Sequence, residues 1–155
     1  MTFSSCTDLS KKPEKLPKTE QYEKLIGKWK LINSNFLPFK HPSFCEKLEK
    51  LELNSIFEFD EYGILKVYQK GKTKRNCNEL QAFWIEKNEL VLFDAHVGFR
   101  YEIIKLTSDS LRIKTEQVPL HIIENENMNE KLKFIEKNGI ILTFEKIKNV
   151  RQHRV

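Results

Sequence analysis

Four histidines and three cysteines are the residues of this chain whose types could carry chemistry, and their spacing decides what that chemistry would be. His41, His96, His121 and His153 are scattered, and none stands at the short His/Cys spacing that a zinc ion requires, so no metal site is expected. Asp94 and His96 lie two apart, which on a strand would place them on one face as an acid–base pair. Their position just before Gly98 instead reads as a polar loop. Glu58 and Asp60 have the same spacing and read as the outer face of a hairpin. No glycine-rich phosphate loop or nucleophile elbow is present. The sequence argues against an enzyme and calls for no cofactor.

Cysteine placement divides into two groups. Cys45 and Cys77 fall inside the expected domain, where they would be either a disulfide, if the protein is exported, or two reduced buried thiols. Cys6 stands apart, ahead of a polar stretch from Thr7 to Glu20 that holds Pro13, Pro17 and four lysines. Phe3-Ser4-Ser5-Cys6 resembles the lipid-attachment site of bacterial lipoproteins, with residues 1–21 as a flexible tether from a membrane to the domain. Either the chain as given begins inside its precursor or Cys6 is an ordinary exposed thiol, because five residues are too few for a signal peptide. The first alternative implies a periplasmic or outer-membrane location.

The elements that would position these residues follow from periodicity. At 155 residues, 39% hydrophobic and 32% charged, the chain fits one globular domain, and no apolar run approaches the length of a spanning helix. Leu25 to Phe36 reads as a first strand, with Trp29, Leu31 and Asn33 on one face. Ser43 to Leu51 has the capping-box spacing of a short helix. Phe57 and Phe59, the turn Asp60-Glu61-Tyr62-Gly63, and Leu65 and Val67 make a hairpin. A second hairpin turns at Lys87-Asn88, between an alternation that puts Leu80, Ala82 and Trp84 on one face and Glu89 to Phe93 beyond. Phe99 to Ile103, a turn at Thr107 to Ser110, and Leu111 to Lys114 alternate cleanly between apolar and polar. Met128, Leu132 and Ile135 have helical spacing, ended by Asn138-Gly139, and Ile140 to Ile147 is the final strand.

About eight short strands joined by tight turns can close a sheet on itself. The expected fold is mainly β, an antiparallel up-and-down eight-stranded barrel over residues 22–150 with one or two short helices and a basic tail at 151–155. The net charge of +5 is local, on Lys66, Lys70, Lys72, Lys74 and Arg75 around one turn and on Lys146, Lys148, Arg151 and Arg154 at the end. Such clusters attract phosphate or anionic membranes, but the aromatics fall with the core positions rather than among the basic residues, which argues against nucleic acid.

Leu25-Ile26-Gly27-Lys28-Trp29-Lys30-Leu31, with Phe57 to Gly63, Trp84 to Leu92 and the closing Leu-Thr-Phe-Glu-Lys strand, resembles the lipocalin-like proteins common among bacterial lipoproteins. The resemblance covers about residues 25–147 and implies a calycin-type barrel whose Trp29 plugs the closed end, with Arg151 as the nearest candidate for a cation over that ring. The inserted segment 117–138 departs from the simplest pattern. On this reading Trp29, Asn33, Phe57, Phe59, Trp84, Leu92, Tyr101, Ile103 and Phe144 line the interior. Such a lining favours a small hydrophobic ligand, since burial gains roughly 25 cal/mol per Å² of apolar surface. The alternative is a barrel filled by its own side chains, serving as a structural or protein-interaction module. Tyr101 and Asn33 stand out, because a polar tip on an apolar wall needs a hydrogen-bond partner and a ligand could supply it.

Overall fold

Apolar residues at every second position form strands that share one inward face. The computed structural model describes residues 14–36, 52–68, 81–94, 97–117 and 128–148. Within them run α1 (Glu20–Leu25), β1 (Gly27–Ser34), β2 (Ile56–Phe59), β3 (Ile64–Tyr68), β4 (Gln81–Glu86), β5 (Glu89–Asp94), β6 (Val97–Leu106), β7 (Ser110–Thr115), α2 (Met128–Asn138) and β8 (Ile140–Lys146). Every strand pairs antiparallel with its sequence neighbour, and β1 pairs with β8, so the sheet is a closed up-and-down barrel of eight strands with two short helices. Closure removes the free edges that would otherwise template aggregation.

Three tight turns, joining β2 to β3, β4 to β5 and β6 to β7, lie at the end of the barrel where α1 enters. In the first, the Asp60 carboxylate accepts hydrogen bonds from the Tyr62 and Ile64 amides at 2.9 Å each, while Gly63 takes φ +80°. α1 is started by Thr19, whose hydroxyl accepts from the Tyr22 amide, with Glu20 and Glu23 in the first turn. The sequence reading ran the first strand back to Leu25, but the chain is helical to that residue and turns extended only at Ile26. Residue 22, where the sequence reading began the domain, lies within α1. Leu16, ahead of it, also docks, its amide donating to Glu61 O at 2.8 Å.

The opposite end carries the longer connections, including α2, whose Ile135 is fully buried. α2 ends at Gly139, at φ +68°, where an added Cβ would lie 2.6 Å from Lys114 Cε and 3.1 Å from Thr115 O. Asn35 ties this corner to β1 by donating to Gly139 O at 2.9 Å and accepting from the Ile141 amide at 2.8 Å.

Two expected inward positions face out instead. Between Leu31 and Asn33 the β1–β8 register slips by one residue, Leu31 standing opposite Phe144 and Asn33 opposite Thr143, so the bulge turns Asn33 to solvent. In β4 the pairs Phe83 with Leu92 and Ile85 with Leu90 place the odd-numbered residues inward, and Trp84 lies half-buried on the outside opposite Val91. Both faces of β4 are apolar, so alternation alone could not choose between them; the pairing to β5 did. The Trp84 and Phe93 rings meet on the outer wall, centroids 5.9 Å apart.

Candidate functional site

The interior is built from alternate residues of all eight strands. Leu31, Phe57, Tyr101, Ile113, Leu142 and Phe144 have no accessible surface at all. A cavity of ligand size would expose part of every side chain on its wall, so none borders these six. Their rings interlock: Phe57 meets Phe144 edge-on at 4.8 Å, and Phe59 meets Phe83 edge-on at 4.9 Å.

Of the residues expected to line this space, Trp29, Phe57, Phe59, Leu92, Tyr101, Ile103 and Phe144 do point inward, whereas Asn33 and Trp84 do not. Burial pushes the Tyr101 hydroxyl well above the usual phenol range, so it stays neutral. No buried polar side-chain atom among the described residues lacks a hydrogen-bond partner, Tyr101 included, so its hydroxyl creates no demand for a ligand. At the end opposite α1 the inward tier includes the polar Gln81 and Thr115, and the Thr115 hydroxyl accepts from the Gln117 amide at 3.1 Å.

Chemistry concentrates at the α1 end. Trp29 is completely buried, and its indole N–H donates to Leu25 O, the last carbonyl of α1, at 2.7 Å. Tyr22, on the same helix, accepts from the Ile85 amide at 2.8 Å through its hydroxyl, which fastens α1 to β4. Lys146 closes the arrangement: its Nζ lies 5.1 Å from the Trp29 ring centroid and donates to Lys24 O at 2.9 Å. Lys146 follows Ile140, Leu142 and Phe144 in the inward register of β8, so its stem passes beneath the barrel while its head reaches the helix C-terminus. Partial burial holds its pKa below the usual lysine value.

The sequence placed Lys146 only in the basic cluster at the end of the chain, not over Trp29, although its position two residues after Phe144 carried the signal. The cation over Trp29 was sought at Arg151, which lies outside the described residues, as do Cys6, Cys45, Cys77, His96 and the helix expected at 43–51. Among the described residues, no group of three or more His, Cys, Asp or Glu is placed to hold a metal ion. No protein-family model, curated protein or solved structure matches this chain.

Proposed function

We propose that this protein is a lipocalin-like, non-enzymatic recognition module in which the barrel is a solid scaffold and binding takes place on its rims and outer surface. The observation that carries this reading is the absence of accessible surface on Leu31, Phe57, Tyr101, Ile113, Leu142 and Phe144. A ligand seated among them would have to displace interlocked rings, and even one or two extra methylenes in a packed core cost about 1–3 kcal/mol. The lipocalin likeness is supported by Gly27-Lys28-Trp29 opening β1, by α1 crossing the same end, and by the cation over Trp29.

Neutral lipophilic probes separate this reading from a ligand-filled barrel. In the full-length protein, N-phenyl-1-naphthylamine is expected to leave the methyl resonances of Leu31, Ile113 and Leu142 unmoved. Saturable shifts of those methyls would establish an internal pocket and reject the solid scaffold.

Attachment to a bacterial envelope through a processed Cys6 accompanies the proposal. Mass spectrometry of protein extracted from its native source is expected to find the chain beginning at an acylated Cys6; a free thiol preceded by residues 1–5 would remove the tether.

A further inference from the structure

A cleft of about 540 Å³ opens on the outside of the α1 end, between the start of β1 and the ends of β2 and β8. That volume suits a small organic molecule. Its apolar wall comes from Ile26, Phe59 and Ile147, and its charged residues comprise three lysines, at 28, 146 and 148, facing Glu58, Asp60 and Glu61.

The three carboxylates are already engaged. Asp60 accepts the two turn amides, Glu61 pairs with Lys15 at 3.4 Å, and Glu58, opposite Lys28 in the β1–β2 register, shares Tyr68 with that lysine. Lys146 differs. Among the described residues no carboxylate lies within 4.0 Å of its Nζ, whose neighbours are one carbonyl and one indole face. An ammonium has three N–H groups, so among the described residues one remains for a further acceptor.

Room for it is built into the backbone. Gly27 sits at φ +136°, and a Cβ there would lie 2.8 Å from Lys146 Cε, so a side chain at this position would crowd the lysine stem out of the cleft. Partial burial of Lys146 without a counter-ion disfavours its charge, and an incoming anion would relieve that penalty. The facing carboxylates set a limit in the other direction: they repel a second negative charge on the ligand.

We propose that this cleft binds a small amphipathic monoanion, a single carboxylate on an apolar chain or ring, with Lys146 as its counter-ion and Ile26 and Ile147 against its apolar part. Lys148, exposed on the rim, adds attraction on approach.

Octanoate is the probe, with octan-1-ol of the same chain length as the uncharged control, added to the isotopically labelled full-length protein. Saturable shifts are expected at the amides of Ile26, Gly27, Lys28, Ile147 and Lys148, with octan-1-ol at least tenfold weaker. Lys146→Gln should raise the octanoate Kd tenfold or more, the scale of a lost charge-assisted hydrogen bond, and Lys146→Arg should restore much of it. Equal binding of alcohol and carboxylate, shifts elsewhere, or an unchanged Kd in Lys146→Gln would each overturn the site. If Lys146→Gln does not fold, the octanoate and octan-1-ol comparison on the unaltered protein decides. Failure here leaves the solid-scaffold reading intact, because that is read at the inward methyls with a neutral probe.

Discussion

Trp29→Ala is expected to cost about 3–5 kcal/mol of stability, the range for truncating a large buried aromatic. Three losses coincide at this position. The side chain is fully buried at the foot of the barrel, where β1 sets Trp29 opposite Phe57, so its removal opens a cavity that the closed sheet cannot collapse to fill. Leu25 O loses its indole donor at the end of α1, and an unsatisfied buried carbonyl costs about 1–3 kcal/mol. Lys146 loses the ring beneath its ammonium. Against a typical domain stability of about 5–15 kcal/mol, such a loss is a large share of what holds the fold. Urea unfolding followed by far-ultraviolet circular dichroism measures it. Trp29→Phe keeps most of the volume and loses only the N–H and part of the ring, so it should fall between the two. A Trp29→Ala loss below about 1 kcal/mol would show that the α1 end does not depend on this plug.

The architecture was legible where local chemistry and strand period agree. Gly63 and Gly139 stand at positive φ where the turn after β2 and the end of α2 had been placed, and the eight strands close in the expected order. Three misses have separate physical causes. A bulge inserts one residue without any compositional mark, so Asn33 could not be told from an inward residue by counting. Trp84 belongs to a strand with two apolar faces, where only the partner strand decides. α1 has six residues, too few for hydrophobic periodicity to register, although Thr19 followed by Glu20 and Glu23 is an N-terminal helix signal. The site at the α1 end was half legible. Trp29 was marked as the plug, but Lys146 was counted only with the basic end of the chain, because strand period gives a charged residue a face without showing what its stem lies against.

Phe144→Ala tests the solid interior from the opposite direction, by creating the pocket that the native barrel lacks beside this ring. Phe144 has no accessible surface, stands between Leu31 on β1 and Leu111 on β7, both fully buried, and meets the Phe57 ring at 4.8 Å. Its truncation should cost about 3–5 kcal/mol, because paired backbones on both sides hold β8 in place and prevent the walls from closing in. Those walls are aliphatic and aromatic, and an apolar cavity of this kind stays dry and takes up benzene or xenon. Benzene should therefore raise the thermal midpoint of Phe144→Ala in proportion to the logarithm of its concentration and leave the native protein unmoved. The contrast matters more than either value. Were the native protein stabilised by benzene to the same degree, the space would already exist in the barrel, and a hydrophobic ligand held inside would become the better account of what the fold is for.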